Sequence, residues 1–203
     1  MRRLYCIFIT LACASTWTLA QTDESWREAT QEVKDSIDAI GMSEYASNKA
    51  KLREPIDNEV ERINASDLDS TYIDFPQLST EGGELHVYRE NGEIVKIDVS
   101  LYGCSHQAHI SFYVKNGELF SLEETHTKYN APITADEFSL EDSKEDHILA
   151  IFRDRKLIDY QVRSDCGAPW EEEFIASESA KYISMYDTCM DAIEASTSDS
   201  GEQ

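Results

Sequence analysis

Positive charge is scarce in this chain. Against 40 Asp and Glu it has 18 Lys and Arg, a formal net charge of −22 over 203 residues. Nucleic-acid binding needs a basic footprint and anionic lipid attracts polybasic segments, so neither partner is expected. The apolar run of the first residues is too short to cross a bilayer and no later one comes near its length, so the mature chain is not expected to be integral to a membrane. No repeat of solenoid period is visible. The familiar catalytic signatures are also absent: no Gly-x-Ser-x-Gly elbow, no His-Glu-x-x-His, no phosphate loop, no dinucleotide fingerprint and no Cys-x-x-Cys pair. These absences remove the direct arguments for an enzyme, and no cofactor is expected. What the acid excess does suit is solubility, loose cation association or a protein partner with a basic surface.

The amino terminus has the form of a secretory signal. Met1-Arg2-Arg3 is basic, Leu4 to Ala12 is almost wholly apolar, and Thr18-Leu19-Ala20 supplies small residues before the polar Gln21-Thr22-Asp23-Glu24. Cleavage after Ala20 leaves about 180 residues, one domain's worth. An alternative cut before Cys13, in Thr10-Leu11-Ala12-Cys13, would make a lipoprotein anchored through Cys13. The expected location is periplasmic or secreted, in a bacterium. Segment 1–20 is thus expected to be removed, 21–195 to form a single α+β domain, and 196–203, small and polar, to be a disordered tail.

The middle of the chain, 84–166, reads as an antiparallel β-meander of about six strands. Glu90-Asn91-Gly92-Glu93 and Lys115-Asn116-Gly117-Glu118 place Asn-Gly between apolar runs, because a type I′ hairpin turn demands positive φ at both central residues. Arg153-Asp154-Arg155-Lys156 occupies an equivalent place without the Gly. With Cys104-Ser105 closing the middle hairpin, Leu101 faces Ala108, Val99 faces Ile110, Ile97 faces Phe112 and Val95 faces Val114. Apolar pairs in succession on one face are what a wrong register would destroy. Carrying the pairing through Asn116-Gly117 sets Leu119 opposite Val114. It also sets Phe120 beside Tyr113, Leu122 beside Ser111, Glu124 beside His109 and His126 beside Gln107.

That register brings Asp98, His109, Glu124 and His126 onto one mixed face. Imidazole with carboxylate suits zinc or a similar ion. Ser100 opposite His109 allows a nucleophile, a base and Glu124 as its orienter, the set a hydrolase would use. The competing reading is a cross-strand His–Glu ion pair on a solvated face. Further along, Tyr113, Phe120 and Leu122 form an aromatic and aliphatic patch that would serve as a contact surface if no helix covers it.

Helices are expected on both sides. Ser25-Trp26-Arg27-Glu28 is a capping box. Trp26, Ala29, Val33, Ile37 and Ile40 follow it at helical spacing, with further helices over 43–53 and from Pro55 to residue 64. Asp67 to Gly83 reads as a connection anchored by Tyr72, Ile73 and Phe75. A last helix over 177–195 carries Tyr182, Ile183, Tyr186, Cys189, Met190 and Ile193. After cleavage at Ala20 three cysteines remain, Cys104, Cys166 and Cys189, which allows one disulfide and one free thiol without choosing the pairing.

Ser79-Thr80-Glu81-Gly82-Gly83-Glu84-Leu85, followed by Tyr88 and Asn91-Gly92-Glu93-Ile94-Val95-Lys96-Ile97, resembles a family of exported bacterial proteins of unknown function. In that family a Ser-Thr-Glu-Gly-Gly signature opens a meander of Asn-Gly or Asp-Gly hairpins. Phe112 to Phe120 and Ile151 to Ile158 are similar to its later hairpins, and Tyr129-Asn130 to the end of its fourth strand, so the resemblance covers roughly 79–158. Cys104 in the middle turn and the missing Gly of the last turn depart from it. The resemblance implies fold and export and brings no activity. The reading is therefore an exported, non-catalytic binding or accessory protein, the alternative being a metal-binding protein or hydrolase using Asp98, His109, Glu124 and His126.

Overall fold

The computed structural model describes residues 42–163 and 171–199. The expected signal segment, the capping-box helix, Cys13 and Cys166 lie outside these residues. Helix α1 (Met42–Ala65) is followed by β1 (Asp69–Asp74), a 3₁₀ turn at Pro76–Leu78, β2 (Gly83–Glu90) and β3 (Glu93–Tyr102). Then come β4 (His106–Lys115), β5 (Glu118–Lys128), β6 (Lys144–Arg153), β7 (Lys156–Val162) and helix α2 (Glu172–Asp199). The seven strands form one antiparallel sheet in chain order, so the protein is an α+β meander with a helix on either side of it in sequence. The chain divides after Arg53 into two compact units, and the sheet, α2 and the last turns of α1 all belong to the second.

Three corrections to the sequence expectations concern element bounds. The connection before Gly83 contains β1, a six-residue edge strand paired with β2 through Tyr72 opposite His86 and Ile73 opposite Leu85. The helices expected on either side of Pro55 are one helix, with Pro55 inside it. Its missing N–H costs one backbone hydrogen bond, which the turns on either side outvote. The last helix begins at Glu172 and continues to Asp199, so the start of the expected tail is helical. Glu172 and Glu173 in its first turn complement the positive end of the helix dipole.

Three hairpins at one end of the sheet share one construction. Asn91 and Gly92, Asn116 and Gly117, and Asp154 and Arg155 all have positive φ, the backbone of a two-residue type I′ turn. In each hairpin one residue of the returning strand is left over in the pairing: Val95 between Ile94 and Lys96, Phe120 between Leu119 and Ser121, Ile158 between Leu157 and Asp159. Such a β-bulge sets two consecutive residues on one face, Val95 with Lys96 and Phe120 with Ser121, and so shifts the alternation of the strand by one. Ile94, Leu119 and Leu157 accordingly join the core on one face, while Val95 and Phe120 join a second cluster on the other. Val95, expected opposite Val114 on the apolar face, is therefore turned over.

Arg155 lacks the glycine its backbone asks for, with φ 60°. The left-handed region costs a residue with a Cβ about 1–2 kcal/mol. Its exposed ion pair with Asp187, at 2.6 Å, returns about 1 kcal/mol at most. Arg155→Gly relieves the strain but loses the pair and loosens the unfolded chain, so its stability by urea unfolding is expected to stay within about 0.5 kcal/mol of the unsubstituted chain and above that of Arg155→Ala. Arg155→Ala keeps the strain, loses the pair, and should be destabilising. A higher stability for Ala than for Gly would refute the strain argument.

Helix α2 lays Tyr182, Tyr186, Cys189 and Ile193, spaced three and four apart, on the face that carries Val87, Ile97, Phe112, Leu122 and Ala150. Its Ser179 hydroxyl accepts the Leu157 amide at 3.2 Å on the edge strand β7. On the opposite face, Val60 and Ile63 of α1 pack on Tyr113, joined by Leu68, Val95 and Phe120. Arg62 forks onto Glu90 and Lys115 reaches Glu59, holding α1 to the hairpin end. Bulges that put apolar residues on both faces give each helix something to bury.

Candidate functional site

The register through the β4–β5 hairpin decides what any site can contain. Because Phe120 is bulged, Tyr113 pairs with Ser121, Phe112 with Leu122, Ser111 with Glu123, Ile110 with Glu124 and His109 with Thr125. A one-residue shift moves every later side chain of β5 to the other face. Leu122, Glu124 and His126 thus lie on the α2 side, and Asp98, Ser100 and His109 on the α1 side. The expected four-residue group is split between the two sides of the sheet.

Glu124 is buried beneath α2, where it accepts the Tyr182 hydroxyl at 2.5 Å. Ser100 and His109 do meet, with Oγ and Nδ1 3.0 Å apart, but the other cross-strand neighbour of His109 is Thr125. Glu124, the expected orienter, lies on the other side of the sheet, and among the described residues no carboxylate takes its place at His109. Among the described residues no three His, Cys, Asp or Glu side chains converge as metal ligands. The expected contact patch fails for the same geometric reason and one more. Leu122 is fully buried under α2, and Tyr113 with Phe120 is covered by α1. Asn64 donates to the Tyr113 hydroxyl at 2.9 Å, and that hydroxyl donates to Glu123 at 3.0 Å. Burial pushes the Tyr113 phenol well above the ordinary tyrosine value.

The cysteines are equally specific. Among the described residues Cys189 is a free thiol inside the α2 core, and burial pushes it up to about 12, so it stays protonated at neutral pH. Cys104 is a free, exposed thiol in the β3–β4 turn.

Among the described residues, none covers the α1-side face over β1 to β4 away from the hairpin end. Tyr72 stands half exposed at the edge, its ring edge-on to His86 with centres 5.3 Å apart. His86 is opposite Asp98, which takes a hydrogen bond from Ser111 at 2.6 Å and an ion pair from Lys96 at 3.1 Å. Lys96 in turn lies between the rings of Tyr88 and Tyr113, 5.3 and 5.7 Å from their centres. Tyr102 donates to Glu84, and that bond, then burial, raises its phenol above the ordinary value. His109 points into solvent. The face thus combines polar groups held by one another with exposed aromatic rims. Sequence reasoning takes Tyr72 as an anchor of a connection and does not join it to Glu84, His86 and Tyr102, because β1, which brings it beside them, is short, polar and lies at an edge. The alternation of Thr71 and Ile73 with Tyr72 is its one signal.

Comparison with protein-family models, with curated proteins and with solved structures gave no match to this chain. No helix among the described residues is long and apolar enough to cross a membrane.

Proposed function

We propose that the chain is an exported, non-catalytic binding or accessory protein whose contact surface is the open α1-side face of β1 to β4. The observation that carries this reading is that face itself. It shows Tyr72 and Tyr102 to solvent, 54% and 37% exposed, over a network in which His109 has a hydroxyl partner and no carboxylate. Exposed aromatics among ordered polar groups are the composition of a recognition surface. Asp74, Glu84 and Asp98 on this face, with the chain's −22, suit a partner with a basic surface.

Export rests on the Met1–Ala20 pattern, and membership of the exported meander family on the Ser79–Gly83 turn. That turn has a structural reason. The Ser79 hydroxyl serves the carbonyls of Gly82 and Tyr102, at 2.6 and 2.5 Å, tying the turn to the end of β3. A Cβ on Gly83 would stand 2.9 Å from the Ser100 carbonyl, so only glycine lets β2 start there.

The test places a photoreactive side chain at Tyr72 and, in a separate sample, at the exposed loop residue Leu140, in cells that export the protein. A discrete adduct from position 72 that is absent at 140 and lost on adding Tyr102→Ala is expected. The same adducts at both positions, or none at 72, would overturn the contact face. The mass of the exported product tests cleavage: a chain beginning at Gln21 is expected, and a lipid-bearing Cys13 would replace the free form with an anchored one.

A further inference from the structure

His106 opens β4 and His126 lies near the end of β5, at the sheet end opposite the three hairpins. His106 pairs with Lys128 and Ala108 with His126, so the two imidazoles are diagonal neighbours on the α2-side face. Their ring centres are 5.6 Å apart and their planes tilted by 33°. Two imidazoles sharing one ion at Zn–N distances of about 2.1 Å have ring centres roughly 5 Å apart. The pair is a small ring rotation from that geometry.

Three features of the surroundings set these rings up as ligands. The Ser105 hydroxyl is 3.4 Å from His106 Nδ1, a contact that engages this nitrogen and makes Nε2 the one to offer a metal. A Cβ on residue 103 would come 3.2 Å from His106 Cε1 and 3.1 Å from its carbonyl oxygen, so the ring lies against the turn because residue 103 is glycine. Asp146 pairs directly with His126 across the β5–β6 ladder, on the same face. Directly opposed residues have Cβ atoms about 4.5–5.5 Å apart, so the ladder sets a carboxylate beside the imidazole, the kind of partner that holds a metal-bound histidine by its other nitrogen.

We propose that His106 and His126 form a two-imidazole site for a borderline divalent transition ion, Zn²⁺ or Cu²⁺, with water completing the shell and Asp146 positioning His126. The donor set is all nitrogen, which favours these ions over Mg²⁺ or Ca²⁺ and Cu²⁺ over Zn²⁺. It differs from the Asp98, His109, Glu124 and His126 group expected from the sequence. It shares only His126 with that group and does not depend on the contact face. Lys128, opposite His106, opposes the ion by its charge.

The full chain, purified without chelator, is titrated with Zn²⁺ followed through the histidine ring protons by NMR, and with Cu²⁺ by calorimetry. Saturation at one equivalent is expected, with the His106 and His126 signals moving and those of His86, His109 and His147 still. His106→Ala and His126→Ala should each weaken binding about tenfold or more, and Asp146→Asn by a smaller factor. Lys128→Gln should tighten it. Binding that moves His109, survives both histidine substitutions, or vanishes with Cys104→Ser while His126→Ala retains it would overturn the site. Absence of saturable binding would do the same. Unchanged thermal midpoints of the apo variants separate lost ligands from lost fold.

Discussion

Raising the pH above 10 is expected to unfold this protein, with buried phenols carrying the transition. Tyr113, Tyr160, Tyr182 and Tyr186 are each 5% exposed or less. Burial is the first cause holding each of them protonated beyond the ordinary tyrosine value, and Tyr160 is pushed up to about 12. For Tyr182 the second cause is Glu124, the acceptor of its hydroxyl. In the unfolded chain the same phenols ionise near 10. The native state therefore keeps protons that the unfolded state releases. The corresponding stability is complete below about pH 10 and is lost as the pH climbs through the native values. Each phenol contributes a slope of about 1.4 kcal/mol per pH unit. Four acting together would exhaust a typical domain stability of about 5–15 kcal/mol within a few units. The Cys189 thiol, pushed from 9.0 to about 12, adds loss of the same sign and begins earlier. Circular dichroism and tyrosinate absorbance recorded on one alkaline titration check this. Ionisation of the buried tyrosines and loss of the sheet signal should coincide. Full tyrosinate absorbance in a still-folded protein would show that these rings are open to solvent.

The second large effect separates the two possible registers of β5. Leu122→Lys is expected to cost roughly 4 kcal/mol or more, because it forces an ammonium into the core beneath α2 where Phe112 and Ala150 are its neighbours. His109→Lys, on the open face of the preceding strand, is expected to stay within about 0.5 kcal/mol. Had Leu122 faced Ser111 on the mixed face, both substitutions would be mild. Urea unfolding of the two variants therefore reads the bulge at Phe120 directly. A Leu122→Lys variant of near-native stability would place β5 in the other register and return Glu124 to His109.

The bulge is also where reading of the sequence stopped short. Period-2 alternation, Asn-Gly and the matched pairs from Ile97 and Phe112 to Leu101 and Ala108 are local signals, and they set the middle hairpin correctly. Past Asn116-Gly117 strict alternation puts each β5 residue one place away from its partner, because Phe120 is bulged. Leu119-Phe120 are both apolar, as are Ile94-Val95 and Leu157-Ile158 at the same distance from their turns. An apolar pair where one residue should face water is the mark of a strand with an extra residue; both residues are covered at Ile94-Val95 and Leu119-Phe120, while Ile158 stays exposed. In a single hairpin such a pair looks like noise; the threefold recurrence is what gives it meaning. The contact patch failed for a related reason. Tyr113 and Phe120 look exposed until Val60 and Ile63, some fifty residues away in sequence, are laid on them.

The sequence by itself determined the α+β meander, the turns that carry positive φ, the amphipathic stripe of the last helix and a surface dominated by acid. Each of these follows from residues within one turn or one hairpin of each other, where backbone sterics and side-chain period act locally. Tertiary structure alone decided which side of the sheet each β5 residue faces, that Glu124 meets Tyr182 while His109 keeps Ser100, and that His126 stands beside His106. Those outcomes depend on a bulge that reverses faces and on helices that must bury the apolar residues it exposes. A single unpaired residue outweighs the alternation of the strand that contains it.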